Sequence, residues 1–285
     1  MIFILLALSI ALSSCRNLFS KKLSDAPFGT REFFKRQGVL FICGAFSIIV
    51  FKGAELTIPS GETAIYAVLY ALFLVFAQWF YTIALSKGST SMCSCVYSMG
   101  FVIPTVAGAF LWSEQFVAFD FLGVALAVAA VICSARPSEK RESAKSCFIP
   151  LSIATICSGG LGVLQKVQQK STVSGEKATF LLTAFVFAAL ISFIGSIFAS
   201  RNTEKAKSPS LLTAASVGVA FGCCNLLNTG LAGALPAAIF FPTLNIGTIM
   251  LTMILGLIIF KERIKKREVK VLLLGGASIL ILNLT

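Results

Sequence analysis

The chain has 285 residues, of which 57% are hydrophobic and 13% are charged. A soluble domain of this length needs more polar residues to cover its surface, so the composition excludes a soluble globular protein. The net charge is +12, but the basic residues lie in the links between apolar segments, which argues against a nucleic-acid-binding protein. We therefore predict an all-α integral membrane protein.

Ten apolar segments follow one another along the chain, with lengths close to the ~20 helical residues that cross a bilayer. The links between them are short and polar, and none is long enough to hold a soluble domain. We predict ten transmembrane helices, numbered 1 to 10, at residues 2–22, 37–53, 64–85, 91–112, 116–135, 148–167, 178–199, 210–231, 235–260 and 268–283.

The basic residues are divided unequally between the two sides of such a protein. Twenty of the 24 Lys and Arg residues belong to the links after helices 1, 3, 5, 7 and 9. The other side has only Lys52, Lys166, Lys170 and Lys177. By the positive-inside rule the first side is cytoplasmic, which predicts a multi-pass protein of the plasma (inner) membrane with both termini extracytoplasmic.

One sequence pattern occurs twice. The stretch "VIPTVAGAFLWSEQFVAFDF" (Val102–Phe121) has a counterpart in "GTIMLTMILGLIIFKERIKK" (Gly247–Lys266), and Glu262 follows Glu114 by 148 residues, about half the chain. Five helices per half would place the two turns on opposite membrane faces, and only the second turn is basic. This pattern predicts two inverted five-helix repeats, residues 1–135 and 148–285, joined by a cytoplasmic linker at 136–147. We expect each Glu to hold its turn against a neighbouring helix end.

The same residues resemble a known family. "YTIALSKGSTSMCSCVYSMGFVIPTVAGAFLWSEQFVAFDFLGVAL" and "PAAIFFPTLNIGTIMLTMILGLIIFKERI" are similar to the first-half and second-half motifs of the drug/metabolite transporter superfamily, EamA-like branch. The resemblance covers nearly the whole chain. It implies ten helices around a central cavity lined by helices 1, 3, 4, 6, 8 and 9, and transport of small metabolites, amino acids or drugs without ATP hydrolysis.

Polar side chains inside membrane helices are costly and are therefore the default candidates for a binding site. Tyr97 and Asn245, which the 148-residue offset makes equivalent, are predicted to form facing walls of the cavity. Interhelical hydrogen bonding is an equally open role for each candidate, and Trp79 is also suited to the interfacial aromatic belt. The full set of predicted cavity residues is Tyr97, Asn245, Gln78, Trp79, Asn225, Asn228, Asn17 and Gln165, with Pro104, Pro236 and Pro242 as predicted hinges in helices 4 and 9.

The positions of the charged residues favour substrate exchange or facilitated diffusion over proton-coupled transport. None of the twelve acidic residues is predicted at mid-helix, so the sequence does not support a carboxylate proton relay. We expect Arg16 and Lys166 to extend to lipid headgroups. If Arg16 faces the cavity instead, an anionic or zwitterionic solute is favoured.

These features together predict a secondary transporter that moves a small organic solute by alternating access. The chain has no His, and its nine cysteines lack metal-site spacing, so we expect no enzyme activity, no metal and no cofactor. The expected partners are the small-molecule substrate and membrane lipid, without nucleic acid, in a monomer or a loose homodimer. The alternatives are a non-transporting scaffold or channel and, least favoured, an integral-membrane lipid enzyme.

Overall fold

A computed structural model of the chain describes residues 2–24, 29–87, 90–134, 143–199, 211–260 and 266–284. Within these ranges the regular structure is helical. The α-helices are α1 Ile2–Ser24, α2 Thr30–Lys52, α3 Gly61–Lys87, α4 Thr90–Ser98, α5 Val102–Trp112, α6 Ala118–Ser134, α7 Ser143–Lys170, α8 Lys177–Phe198, α9 Leu211–Ala234, α10 Ala237–Phe260 and α11 Lys266–Leu284.

The apolar segments are helical because a helix satisfies its backbone polar groups internally, as a lipid environment requires. In the described part of the chain, seven helical segments are long and apolar enough to cross a membrane. Three further apolar helices are shorter in their described parts: Ile2–Asn17, Ala118–Cys133 and Val269–Leu284. The protein is therefore a multi-pass helical membrane protein.

The helices form two compact units that do not follow chain order. The first unit comprises residues 1–75 and 167–230, and the second comprises residues 76–166 and 231–285. Each unit thus combines segments of both predicted repeats. Of the predicted linker 136–147, residues 136–142 lie outside the described residues, and 143–147 already belong to α7.

In the first unit α2 packs against α8 through glycine–phenylalanine contacts. A Cβ placed on Gly38 would lie 2.7 Å from the ring of Phe193, and one placed on Gly195 would lie 3.1 Å from the ring of Phe34. Between these contacts the rings of Phe41 and Phe185 stack with centroids 6.1 Å apart. Small residues on each helix therefore admit large apolar side chains from the other.

In the second unit α6 packs against α11. A Cβ on Gly123 would lie 2.6 Å from Cδ2 of Leu282, and the Ser278 hydroxyl donates a 2.7 Å hydrogen bond to the Gly123 carbonyl. Small residues let these helices approach closely, and the buried hydroxyl is satisfied by backbone, as is common between membrane helices.

The predicted hinge prolines occupy three different positions. Pro104 lies in the first turn of α5, and a 3-10 turn at Met99–Phe101 separates α5 from α4, so predicted helix 4 is interrupted where proline removes a backbone donor. Pro242 lies inside α10. The placement of Pro236 within predicted helix 9 is wrong, because α10 begins at Ala237; Pro236 precedes the helix, and its carbonyl accepts from the amides of Ile239 and Phe240. Hinge motion at these prolines stays a prediction.

Candidate functional site

A row of polar contacts joins α1 to α9 in the first unit. The Ser9 hydroxyl donates to Oδ1 of Asn228, and the Ser13 hydroxyl lies 3.7 Å from Sγ of Cys224. The guanidinium of Arg16 lies over the ring of Phe221, 5.2 Å from its centroid. Because helical positions three and four apart share one face, these contacts form a single antiparallel stripe. We call it the polar seam: Ser9, Ser13 and Arg16 of α1, Phe221, Cys224, Asn225 and Asn228 of α9, and Tyr70 of α3.

Tyr70 connects α3 to the seam. Its hydroxyl donates a 2.6 Å hydrogen bond to Oδ1 of Asn225, while Nδ2 of Asn225 donates 2.8 Å to the Phe221 carbonyl. Both side chains are buried, Tyr70 at 1% and Asn225 at 6% relative exposure. Asn225 therefore has the bonds of an interhelical link, one of its two predicted roles; its contact with a solute stays a prediction.

Arg16 lies opposite the middle of α9. Phe221, which its guanidinium covers, is the eleventh of the 24 residues of α9. At 1.5 Å per residue the ring is therefore roughly 15 Å from one end of α9 and 20 Å from the other. The extension of Arg16 to a lipid headgroup stays a prediction. Nη2 of Arg16 donates 3.2 Å to Oδ1 of the predicted site residue Asn17.

A second polar group fastens the start of α3 to the α7–α8 connection. Glu62 accepts from the hydroxyls of Tyr66 at 2.7 Å and Thr172 at 2.9 Å. Glu176 accepts from the amide and the hydroxyl of Ser60, at 3.1 and 3.0 Å. Both carboxylates of this group are thus engaged at helix ends, consistent with the absence of a mid-helix acid in the sequence prediction.

The second unit contains an ion pair around a buried lysine. Lys166 is fully buried; its ammonium pairs with the Glu114 carboxylate, donates 3.3 Å to the Leu235 carbonyl and lies 5.5 Å from the Trp112 ring centroid. Oε2 of Glu114 also accepts 2.7 Å from the Ala237 amide. We call Trp112, Glu114, Lys166, Leu235 and Ala237 the ion-pair cluster. The expectation that Lys166 reaches a headgroup is wrong, because Glu114 satisfies its charge inside the protein.

The local sequence explains how Glu114 reaches Ala237. Ser113 ends α5 in the left-handed region at φ 49°, and the Glu114 amide donates 3.3 Å to the Gly108 carbonyl, which turns the chain back over the helix end. Gly108 leaves the necessary space, since a Cβ there would lie 2.6 Å from that of Ala237. Ala237 starts α10, where a backbone N–H lacks an intrahelical acceptor, and a carboxylate supplies it. The expectation that Glu114 holds its turn against a neighbouring helix end is confirmed; Glu262 lies outside the described residues.

The remaining predicted site residues lie in the second unit. Tyr97 is half-buried and packs on Tyr81 with ring centroids 4.5 Å apart, and the Tyr81 hydroxyl is 2.8 Å from that of Ser94. Trp79 packs on Phe80 with centroids 5.4 Å apart. The other three are Gln78 and Asn245, both half-buried, and Gln165, which is buried beside Lys166. Their role as cavity walls stays a prediction.

Sequence reasoning missed Ser9, Ser13 and Tyr70. The spacing of Ser9, Ser13 and Arg16 was a usable signal, because it places three polar groups on one face of helix 1. For Tyr70 no sequence signal indicated a partner 155 residues away. Within the described ranges, His, Cys, Asp and Glu residues form no group suited to hold a metal ion.

Comparison with known proteins identifies the fold only. No family model matches the chain, and no curated protein matches it. Solved structures do match: one crystal structure of a protein aligns with a TM-score of 0.78 over 99% of this chain and 98% of that chain, at 13% sequence identity. Such coverage at such low identity shows a fold shared over the full length of both chains and carries no information about substrate or activity.

Proposed function

We propose that the protein is a secondary transporter that moves a small organic solute across the plasma (inner) membrane by alternating access. In this proposal the chain crosses the membrane ten times, in two inverted five-helix repeats, and is an EamA-like member of the drug/metabolite transporter superfamily. It acts without catalysing a chemical reaction, as a monomer or a loose homodimer.

The observation that carries the proposal is the pairing of helices that the 148-residue offset makes equivalent. Helices α2 and α8 pack together, as do α6 and α11, and each pair consists of an element and its counterpart from the other repeat. A two-fold axis in the membrane plane is expected to bring counterparts together in this way. Inverted repeats related by such an axis are a recurrent construction in secondary transporters.

The buried faces of α6 and α11 follow the same offset. In α6 the buried positions include Gly123, Ala127 and Ala130, and 148 residues later α11 buries Val271, Gly275 and Ser278. In α2 and α8 four of the eight buried α2 positions have a buried counterpart at this offset, and Gly38 corresponds to the exposed Val186, so this pair of helices adds no support from burial. The offset was obtained from the Glu114 and Glu262 turns alone, so the burial pattern of α6 and α11 supports the repeat independently.

Counterflow in proteoliposomes tests the proposal. Purified protein is reconstituted with an internal pool of amino acids, nucleosides, sugars or organic cations and is then given a labelled member of the same pool. Saturable accumulation of one class is the expected result. Tyr97→Phe and Asn245→Ala are expected to reduce it, whereas Lys52→Gln, at the exposed end of α2, is the matched control.

Two results would contradict the transporter proposal. Flat traces for every class, from protein that elutes as a folded species, would count against the transporter. A steady conductance in planar bilayers together with flat counterflow traces would favour a channel.

A further inference from the structure

We infer that Arg16 is the group that binds the anionic end of the transported solute, a carboxylate or a phosphate. Transport of this solute rests on the proposed function, whereas anion binding at Arg16 is measured independently of transport. It turns the conditional expectation for Arg16 from the sequence into a binding site with named neighbours, the residues of the polar seam.

The positive charge of Arg16 lies between two helices of the first unit. Arg16 faces the middle of α9 and is half-buried, so its guanidinium lies among packed helices. A charged side chain within a membrane helix is costly, which is why intramembrane cations usually face a partner or a binding site. Phe221 offers a π face that favours a cation, but a ring does not neutralise a charge.

Arg16 has no carboxylate partner among the described residues. In the described part of the chain the ion pairs join Arg36 to Glu32, Lys52 to Glu55 and Lys166 to Glu114, and none includes Arg16. The other carboxylates described in the first unit, Glu62 and Glu176, accept hydrogen bonds at the ends of helices. Among the described residues, the contacts of the Arg16 guanidinium are thus the Phe221 ring and the Asn17 side-chain oxygen, and neither carries a negative charge.

The side chains around Arg16 are polar but uncharged or aromatic. The seam otherwise consists of hydroxyl, thiol, amide and aromatic side chains, with no carboxylate and no second cation. One turn beyond Asn225, Thr229 is fully buried, and its hydroxyl has no hydrogen-bond partner among the described residues. A solute with one anionic group and a neutral polar remainder matches this set, since the guanidinium donates to the anion and the Thr229 hydroxyl remains for the polar remainder.

The test measures binding before transport. The melting temperature of the purified protein in detergent is followed with inorganic phosphate, L-lactate and L-glutamate, against sodium chloride at equal ionic strength, choline chloride and glycerol. At least one of the three anions is expected to stabilise the wild type. Arg16→Gln should weaken the apparent affinity about tenfold to a hundredfold, as expected for the loss of hydrogen bonds from a charged donor. Arg16→Lys should retain part of the effect, and Lys52→Gln all of it.

A purely structural arginine would behave differently. Removal of an uncompensated charge relieves its desolvation, so Arg16→Gln without ligand is expected to melt at or above the wild-type temperature. A lower melting temperature with unchanged anion stabilisation would overturn the inference. So would the absence of stabilisation by all three anions, or Arg16-dependent stabilisation by phosphatidylglycerol alone, which would identify a lipid headgroup as the partner.

Counterflow then separates the two proposals. Accumulation of an anionic solute that Arg16→Gln abolishes supports both. Arg16-dependent anion binding without counterflow of any class would remove the transporter and leave the anion site. Counterflow of a neutral or cationic class that is unchanged in Arg16→Gln would leave the transporter and remove the anion site.

Discussion

Lys166 is fully buried and forms its ion pair with Glu114, a residue 52 positions away on the turn after α5. The same carboxylate accepts the amide of Ala237 at the start of α10. One side chain thus satisfies a buried cation and an unpaired helix terminus, so the two partners are expected to differ in their importance for stability.

Loss of Glu114 should therefore cost more than loss of Lys166. Glu114→Gln leaves a buried ammonium without a counter-charge, for which about 3–5 kcal/mol of unfolding free energy is expected to be lost. Lys166→Met leaves a carboxylate that is 17% exposed and still accepts from Ala237, so the loss should be smaller. The double variant should be more stable than Glu114→Gln alone. Denaturant unfolding in detergent measures all three.

The exposed pair of Lys52 and Glu55 is the control for this series. Lys52→Gln should leave the unfolding transition where it is, because solvent already screens this pair. Equal losses for Glu114→Gln and Lys166→Met, without coupling in the double variant, would show that the ion pair does not fasten α10.

Tyr70→Phe tests the interhelical link to Asn225. The change removes one buried donor and leaves the shape of the ring, so about 0.5–2 kcal/mol of stability is expected to be lost, within the range for hydrogen bonds between membrane helices. A double-mutant cycle with Asn225→Ala isolates the pair. Tyr66→Phe, whose hydroxyl bonds to Glu62 near the start of α3, is the matched control. Additive effects in the cycle would contradict a direct bond.

Gly218→Ala tests the contact between α9 and α2. A Cβ at Gly218 would lie 2.8 Å from Cβ of Cys43 and against the Leu40 carbonyl, so backbone rather than a flexible side chain must move. We expect a loss of about 1–3 kcal/mol, as for overpacked cores. Gly61→Ala is the control, because nothing lies within 4 Å of a Cβ there. Wild-type melting for Gly218→Ala would show that the two helices separate at little cost.

The predicted orientation has its own test. If both termini are extracytoplasmic, a C-terminal alkaline phosphatase fusion should be active and a C-terminal green fluorescent protein fusion dark. Fusions after Lys87, in a link predicted to be cytoplasmic, should give the reverse. A fluorescent C-terminal fusion would invert the whole topology, since 20 of the 24 basic residues would then face outward.

Some of the fold follows from the sequence. Helices α3, α8 and α9 lie close to their predicted ranges, because long apolar runs leave the backbone few alternatives in lipid. Boundaries shifted where polar residues extend a helix: α2 begins at Thr30 rather than residue 37, and α7 begins at Ser143 rather than 148. These residues continue the helix beyond the apolar run, and hydropathy does not detect such extensions.

In the candidate site, some residues could be identified from the sequence, whereas their contact partners could not. Residue type and helix assignment identified Asn225, Asn228 and Asn17 as polar groups of the first unit, because polar side chains are conspicuous in apolar helices. Ser9, the partner of Asn228, and Tyr70, the partner of Asn225, lie 219 and 155 residues away, and no local pattern encodes such contacts. For Lys166 sequence reasoning chose the wrong environment, because the balance between a headgroup and a buried partner depends on which residues lie alongside.

The sequence by itself determined that this is a multi-pass helical membrane protein, since the length and hydropathy of each segment depend on local composition alone. It also indicated the Glu114 turn as a helix-end contact, since the charged residue follows directly after an apolar run. Only the tertiary structure decided that Glu114 pairs with Lys166 and that Arg16 lies over the ring of Phe221. Those outcomes depend on the long-range packing of α7 and α9, where burial raises the energetic cost of a charge and the neighbouring helix decides whether that charge is satisfied.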